Sequence, residues 1–443
     1  MEVLLKSNSL KAILALFIFS VFAVSCSKKS DLPDPIPVYT KAVVVIKPAE
    51  KVTQTTATVV ARVIPNENGT SISFEYKNAG TSWASVTLPS TFSGKDSITV
   101  TSDLSGLNSG TEYSFRVKAT NKGGETVSYE SNFRTGSFLR PVVVIKPAEK
   151  VKLTSATIVA KVVPNENDTK VSFEYKTADN DWVSKDLPLM FKGKDSITVT
   201  FDLSDLKLGT VYSFRVRAKN VGGESVSSDS QFETYSVSDF DGNLYHIVTI
   251  GTQTWLRENF RGAHYANGDA IANVTDATTW SNLTTGAYCW YNNDSKIGEV
   301  YGGLYNFYVG ADSRGLIVGW KVPTDDEWYK LVLYLDGNKP ANYVSGLIAG
   351  PKVMETGNAH WQETRLVATN TSGFTALPNG SFAGGASVND FIFMNLGEAA
   401  SFWSTSDMGT SALAVDITKY YCTLFDGIGI YKNRGRGLRL LMN

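Results

Sequence analysis

The sequence predicts a mostly β protein in which two tandem β-sandwiches are followed by an α+β domain. A segment of about 100 residues, the usual size of such a sandwich, occurs twice. Both copies alternate apolar and polar residues between turn clusters, as half-buried strands do. After the second copy, Trp, Gly and Asn clusters replace the repeat, and one stretch has helical periodicity.

The composition excludes one large class of partner. The chain has 443 residues, which is too long for a single core, so several domains are expected. Its 42 Lys and Arg residues nearly balance its 43 Asp and Glu residues. Nucleic-acid binding needs a concentrated basic surface, and the sequence offers none. We therefore expect no nucleic-acid partner.

The N-terminus has the pattern of an export signal, predicted over residues 1–25. Lys6 and Lys11 precede an apolar run over residues 12–24, which Ser20 alone interrupts. At about 1.5 Å per residue, this run is too short to cross a hydrocarbon core of about 30 Å. The segment is therefore expected to be cleaved and not to anchor the chain by itself.

The end of that run resembles a bacterial lipobox, Ala23-Val24-Ser25-Cys26. The resemblance implies acylation of Cys26, which would anchor the protein to the outer membrane with its domains surface-exposed. An ordinary signal peptide with a coincidental Cys is the alternative. Residues 26–41 contain three prolines and are predicted to be an extended tether.

An internal repeat defines the next two domains, predicted at residues 42–137 and 141–236. Val43–Val52 recurs unchanged as Val142–Val151, at an offset of 99. From Val43/Val142 to Thr135/Thr234 the alignment needs no gap, and 61 of 93 paired positions are identical. Segments this similar must share one fold.

Each copy contains a segment that resembles the fibronectin type III signature. Leu107 precedes Tyr113 by six positions, and Leu206 and Tyr212 repeat this spacing. In that family the Tyr forms a tyrosine corner at the entry to a late strand. The resemblance implies two fibronectin type III-like spacers. Trp83 and its counterpart in the second copy, Trp182, are expected to have a structural role in the sandwich core or at its edge.

A weaker pattern surrounds Ser97 and Ser196, each of which lies between an Asp and an Ile. It resembles the Asp-Ser/Thr-apolar O-glycosylation sites of Bacteroidetes envelope proteins. The alternative is a charged turn that opens a strand.

Residues 239–443 resemble the Fibrobacter succinogenes major paralogous domain, a family typical of secreted and surface proteins with no established activity. The motifs are Asp241–Tyr245, Ile250–Trp255, Thr285–Asp294, Tyr301–Asn306, Gly319–Thr324, Ser372–Pro378 and Phe402–Thr405. The Val-Pro-Thr-x-x-Glu-Trp element over residues 322–328 also resembles the formylglycine-generating-enzyme branch of the C-type-lectin-like folds. The resemblance implies an α+β, C-type-lectin-like fold.

One helix of this domain can be predicted from its residues, without the family resemblance. Thr324 and Glu327 have the spacing of a capping box, and Gly337 is a stop signal. The apolar residues between them fall at i, i+3, i+4 and i+7, which predicts a single buried stripe. They are Trp328, Leu331, Val332 and Leu335.

The cysteines leave two alternatives open. Family members often carry a Cys where this chain has Ile317 and another where it has Leu440, and the paired loss is expected if those two Cys normally form a bridge. Cys289 and Cys422 remain. In an oxidising envelope they could form a disulfide, or they could be buried thiols.

No catalytic motif supports an enzyme. His-Glu-x-x-His, Gly-x-Ser-x-Gly and Cys-x-x-Cys patterns are all missing from the sequence. The segment that begins at Asp239 starts like a calcium loop but lacks the Gly and the bidentate Glu of an EF-hand. We expect no cofactor, with calcium as the one open candidate. Its weak candidate ligands are Asn292, Asn293, Asp294 and Asp407.

The expected function is therefore non-catalytic binding by an envelope protein, with a glycan or an envelope or host protein as the ligand. Exposed aromatic residues in a turn-rich domain would supply the contact surface. The candidates are Trp290, Tyr291, Trp361 and Trp403. The alternatives are a purely structural envelope component and, less favoured, a carbohydrate-active enzyme whose carboxylate pair the sequence does not identify.

Overall fold

The computed structural model describes residues 37–337, 349–362, 367–384, 391–418 and 429–443. The chain divides into two compact units, one ending at Ser137 and the other beginning at Phe138. Cys26, the signal peptide and the first part of the tether lie outside the described residues, so those assignments stay predictions. Within the described ranges, no helix has the length and apolar character needed to cross a bilayer.

The first repeat folds as two facing antiparallel sheets. One sheet has the order β1-β2-β5, and the other has the order β4-β3-β6-β7 with β8 also paired to β6. The strands are β1 (Val43–Glu50), β2 (Ala57–Ile64), β3 (Ser71–Asn78), β4 (Ala84–Thr87), β5 (Ile98–Leu104), β6 (Glu112–Asn121), β7 (Gly124–Val127) and β8 (Ser131–Arg134).

The second repeat has the same strand order. Its sheets are β9-β10-β13 and β12-β11-β14-β15, with β16 paired to β14. The strands are β9 (Val142–Ile145), β10 (Ala156–Val163), β11 (Thr169–Lys176), β12 (Val183–Phe191), β13 (Ile197–Leu203), β14 (Val211–Asn220), β15 (Gly223–Val226) and β16 (Ser230–Glu233). The predicted mostly β fold with sandwich-like domains is confirmed.

The tyrosine corner is present in both repeats. The hydroxyl of Tyr113 accepts a hydrogen bond from the Asn108 backbone N–H at 2.9 Å. The hydroxyl of Tyr212 accepts one from the Lys207 N–H at 3.0 Å. Both tyrosine rings are buried, so each corner fixes the entry of a strand to the core. Membership of the fibronectin type III family itself stays a prediction.

The repeated tryptophans lie outside the sandwich cores, half-buried on a sheet face. The Trp83 ring has Lys77 and Arg116 over it, each 4.2 Å from the ring centroid. Trp182 has Lys176 at 5.0 Å and Arg215 at 4.0 Å. These cation–π contacts account for both rings as structural residues, as expected.

The third region is assembled from short strands and five helices within the described residues. Its helices are α1 (Ala277–Ser281), α2 (Ser295–Tyr301), α3 (Phe307–Gly310), α4 (Asp325–Asp336) and α5 (Ala349–Val353), with a 3₁₀ turn over Tyr291–Asn293. Its strands are β17 (Val237–Ser238), β18 (Leu244–Tyr245), β19 (Ile247–Ile250), β20 (Gln253–Leu256), β21 (Ala272–Asn273), β22 (Ala287–Cys289), β23 (Leu304–Tyr305), β24 (Trp320–Lys321), β25 (Asn379–Gly384), β26 (Phe391–Leu396), β27 (Ala399–Asp407), β28 (Ser411–Thr418), β29 (Ile430–Tyr431) and β30 (Leu441–Met442).

Two sheets form the framework of this domain. One has the order β19-β20-β30-β24, so that β30 lies between strands from the start and the middle of the domain. The other has the order β26-β25-β27-β28-β29. Smaller sheets pair β17 with β18 and place β22 between β21 and β23.

Helix α4 forms as predicted. Thr324 caps it, and Glu327 completes the capping box by accepting the Thr324 backbone N–H at 2.9 Å. The predicted stripe is buried, and Gly337 ends the helix in the left-handed conformation. Trp328 stacks on Phe402 at 5.8 Å, so it is a core residue as expected.

Arg439 is a fully buried arginine in the core of this domain. Burial lowers the pKa of its guanidinium to about 9, which still leaves it charged at neutral pH. The ring of Phe374 lies 4.3 Å from the guanidinium carbon. The group donates to the carbonyls of Leu256 (3.0 Å), Arg257 (2.5 Å), Phe374 (2.7 Å) and Thr375 (3.3 Å), and to Asn259 Oδ1 (2.7 Å).

We expect Tyr113→Phe to destabilise the first unit by about 1–3 kcal/mol, because it leaves the Asn108 N–H without its acceptor. Calorimetry of the full chain should show that the midpoint temperature of unfolding of this unit falls by roughly 4–8 °C for each kcal/mol of unfolding free energy that is lost. Tyr129→Phe is the control, since Tyr129 is 93% exposed. An unchanged transition in Tyr113→Phe would contradict the role of the corner.

Arg439→Met should destabilise the C-terminal domain by about 3 kcal/mol or more, because several buried carbonyls lose their donor at once. Arg439→Lys keeps the charge but has fewer donors, so an intermediate loss is expected. Thermal unfolding of the full chain measures both variants. Arg134→Met, at an exposed position, is the control. Equal stability of Arg439→Met and wild type would refute the role assigned to Arg439.

Candidate functional site

A cavity of about 290 Å³ opens beside helix α1 in the C-terminal domain. It combines aromatic rings with hydroxyl, amide and guanidinium groups, the mixture typical of a small-molecule site. Its lining residues are Ala277, Trp280, Ser281, Phe382, Tyr431, Asn433 and Arg434.

Three distant segments form this cavity. Asp276 caps α1 by accepting the Thr279 N–H at 2.8 Å, which fixes the turn that carries Trp280. Strand β25 supplies Phe382, and the turn after β29 supplies the residues up to Arg434. Segments more than 150 residues apart therefore meet at one place.

The walls are fixed by hydrogen bonds between these segments. Trp280 Nε1 donates to the Asn433 carbonyl at 2.5 Å, and Asn433 Nδ2 donates to the Ser281 carbonyl at 3.0 Å. The Trp280 ring meets Phe382 edge to face at 5.3 Å. Tyr431 remains 63% exposed at the rim. The cavity is thus largely pre-formed, with one aromatic ring free to contact a ligand.

One side of the cavity is lined by the guanidinium group of Arg434. Burial lowers the pKa of Arg434, an effect that Tyr431 opposes and the neighbouring Arg436 reinforces. Arg436 itself is paired with Asp416 at 2.5 Å. Among the described residues that line the cavity, none is Asp or Glu.

Two predicted ligand residues, Trp290 and Tyr291, are half-buried near this site. Tyr291 contacts Phe393 at 5.1 Å, and Phe393 contacts Phe382 at 5.5 Å, so Tyr291 ends an aromatic row that begins at the cavity. Trp290 covers Gly298, where a Cβ would come within 2.1 Å of the ring. Neither ring lines the cavity.

The other two, Trp361 and Trp403, lie in the core, with exposures of 2% and 0%. Trp361 Nε1 donates to the Ala376 carbonyl at 3.0 Å, and Trp403 Nε1 donates to the Tyr305 carbonyl at 2.8 Å. Enclosed rings have no face for a ligand, which corrects the sequence expectation for these two residues.

The calcium candidates have other roles in the structure. Asp294 caps α2 by accepting the Lys296 N–H at 2.9 Å, and Asp407 forms an ion pair with Lys432 at 2.6 Å. Asn292 and Asn293 take left-handed backbone conformations in the turn before α2. Within the described ranges, no group of three or more His, Cys, Asp or Glu side chains is placed to hold a metal ion.

The remaining predicted sites are only partly visible. Cys289 is a buried free thiol, and Cys422 lies outside the described residues, so the disulfide stays a prediction. Ser97 and Ser196 are exposed, each immediately before a strand, and their glycosylation also stays a prediction. Ile317 and Leu440, which replace the family's Cys pair, are both buried in one core cluster.

The sequence did not identify Trp280, Tyr431, Asn433 or Arg434 as site residues. Trp280 lies in a short helix, Tyr431 ends the two-residue strand β29, and Asn433 and Arg434 lie in the turn after it, which has no motif. Their proximity depends on the pairing of β28 with β29 and on the Trp280–Asn433 hydrogen bond. Both contacts join segments that a local sequence pattern does not relate, so neither could be predicted from the spacing of residues.

We expect the Cys289 thiol to be unreactive in the folded protein. Burial raises its pKa well above the ordinary value, which suppresses the reactive thiolate. Iodoacetamide at neutral pH, followed by peptide mass analysis, should label Cys289 only after the protein is unfolded and reduced. Intact mass with and without reductant then tests its pairing with Cys422. Labelling of Cys289 in the native protein would contradict its burial.

Comparison with solved structures gives low overall similarity. The sensor domain of the anti-sigma factor RsgI4 in Pseudobacteroides cellulosolvens is 27% identical, over 22% of this chain and 92% of that chain, with a TM-score of 0.18. Red sea bream transglutaminase is 14% identical, over 45% of this chain and 32% of that chain, with a TM-score of 0.21. Scores this low carry no argument about fold or function.

Comparison with curated proteins gives no match. Residues 248–433 match the family described as the Fibrobacter succinogenes major domain. This range contains most of the motifs on which the resemblance was based, and all the lining residues of the cavity except Arg434. The C-terminal domain of this chain therefore matches the Fibrobacter succinogenes major domain over these residues.

Proposed function

We propose that this protein is a lipid-anchored surface protein that presents a non-catalytic, glycan-binding domain on two spacer modules. The binding site is the cavity beside α1, and its ligand is a single sugar unit of a larger glycan. The two sandwiches hold this domain away from the membrane to which Cys26 is attached.

The observation that carries the proposal is the composition of the cavity. Tyr431 presents an exposed ring on which the apolar C–H face of a sugar can stack. Ser281 and Asn433 supply polar groups for sugar hydroxyls. A volume of about 290 Å³ is at the small end for ligand sites, which suits one ring with the rest of the glycan outside.

The arrangement favours binding over hydrolysis. A glycoside hydrolase needs two carboxyl groups beside the scissile bond, and the described lining of the cavity supplies neither. Each histidine also contacts a carboxylate elsewhere: His246 contacts Glu258, His264 contacts Asp241 and His360 contacts Glu355. None of them lines this cavity.

The repeats support the spacer role. Their apolar side chains form sandwich cores, and the rings of Trp83 and Trp182 are covered by cations, as in modules with a structural role. A protein that only packs with its neighbours in the envelope is the competing interpretation. Such a protein would have no need for a pre-formed polar cavity.

We expect Tyr431→Ala to weaken glycan binding by about tenfold or more, because roughly 1.4 kcal/mol of stacking is lost. A glycan array with the full chain would first identify the ligand, and calorimetric titration would then compare variants. Tyr334→Ala is the matched control, since Tyr334 is also 63% exposed but lies on α4.

Three outcomes distinguish the interpretations. Loss of binding in Tyr431→Ala but not in Tyr334→Ala supports the site. Equal binding by both variants would place the ligand elsewhere. No binding to any glycan on the array would refute the proposal in favour of a structural envelope component.

A further inference from the structure

The two repeats differ where each chain segment leaves its sandwich. At the offset of 99, Thr135 and Thr234 are identical, as are Ser137 and Ser236. The residues between and before them are not: Arg134 and Gly136 in the first repeat correspond to Glu233 and Tyr235 in the second.

The identical threonines each form a hydrogen bond within their own sandwich. Thr135 Oγ1 donates to the Asn108 carbonyl at 2.7 Å, and Thr234 Oγ1 donates to the Lys207 carbonyl at 2.6 Å. The same bond is thus formed in both copies. The two changed residues must therefore be explained by something other than the sandwich fold.

Tyr235 is fixed to the second repeat by its backbone and contacts the C-terminal domain with its ring. Its N–H donates to the Lys152 carbonyl and its carbonyl accepts the Gly209 N–H, both at 3.1 Å. Its ring centroid lies 4.1 Å from that of His246. A glycine at this position, as in the first repeat, would have no such ring.

His246 is enclosed by acceptors on both sides of its ring. Nδ1 donates to Glu258 Oε1 at 2.7 Å, while Nε2 lies 3.4 Å from the Glu233 carbonyl. The second oxygen of Glu258 accepts the His246 backbone N–H at 2.8 Å. Only the doubly protonated imidazolium can donate from both ring nitrogens, so this arrangement favours the charged form.

The ion pair between Arg257 and Glu233 crosses the junction. Arg257 Nη1 donates to Glu233 Oε2 at 2.6 Å, and the Arg257 N–H donates to the His246 carbonyl at 2.9 Å. An Arg in place of Glu233, as in the first repeat, would repel Arg257. Both changed residues therefore act on the junction with the C-terminal domain.

We propose that Glu233, Tyr235, His246, Arg257 and Glu258 form a pH-sensitive clamp that fixes the C-terminal domain to the second repeat. The clamp is closed when His246 carries a charge and loosens when that charge is lost. It sets the direction in which the cavity beside α1 faces, independently of which ligand the cavity takes.

The charges around His246 determine the sign of the pH response. Glu233 and Glu258 face it from the two sides of the junction, Arg257 pairs with Glu233, and buried Arg439 lies behind Glu258. Burial lowers the pKa of His246, but the hydrogen bond and charge of Glu258, together with Glu233, outweigh it and raise the pKa overall. The stabilisation that protonated His246 gives to the junction is thus fully present below the pKa of about 6.5 that His has in the unfolded chain. It is lost as the pH rises through the higher pKa of His246 in the folded protein.

Hydrogen exchange of the full chain tests the clamp at the Ser236 amide, which donates to the Tyr245 carbonyl at 2.9 Å. After correction for intrinsic exchange, its protection should fall several-fold between about pH 6 and about pH 9. The Thr234 amide, which donates to the Thr210 carbonyl inside the second repeat, is the internal control and should not change.

Two variants separate the charge from the packing. His246→Asn keeps a donor for Glu258 but does not titrate, so its Ser236 protection should not depend on pH. Glu233→Arg combined with Tyr235→Gly transplants the first repeat's residues and should lower Ser236 protection about tenfold at both pH values. Unchanged pH dependence in His246→Asn, or wild-type protection in the double variant, would overturn the proposal. Neither result bears on glycan binding, so the two proposals fail separately.

Discussion

The C-terminal domain depends on one buried cation. Arg439 lies beside β30, and its guanidinium joins the carbonyl groups that follow β20 to those of the Phe374–Thr375 segment. Without those donors the carbonyls would be buried and unsatisfied, and the sheet β19-β20-β30-β24 would be joined to the rest of the core by apolar packing alone in this region. Carbonyl groups and an aromatic face surround the guanidinium, and the charge of Glu258 adds a favourable interaction.

Much of the framework follows from local patterns. The repeat identity required a shared fold, and the capping box and apolar stripe of α4 gave its bounds nearly to the residue, because both features are encoded within one helix. The aromatic residues show the limit of this reasoning. Trp280, Trp361 and Trp403 look alike in sequence, yet Trp280 lines the cavity beside α1 while Trp361 and Trp403 are enclosed in the core, since burial is decided by which distant segments pack together. The cavity was not predictable for the same reason: its hydrogen bonds join α1 to a turn far along the chain.

The two sandwiches illustrate how duplicated domains acquire separate roles. Their cores use equivalent residues throughout, and both tyrosine corners have the same geometry. Divergence at a few exit residues costs the sandwich nothing, because Thr135 and Thr234 keep the bond that closes each one. Exit residues can therefore change to suit the next domain while the spacer itself is preserved.

The hydrogen bond from Trp280 to the Asn433 carbonyl spans 153 positions of the chain. A cavity closed by such a contact has no precursor in a partly folded domain, because neither wall exists without the other. Contacts between distant segments also form late in folding. The cavity is therefore complete only when both segments are in place, and an occupant would contact both of them.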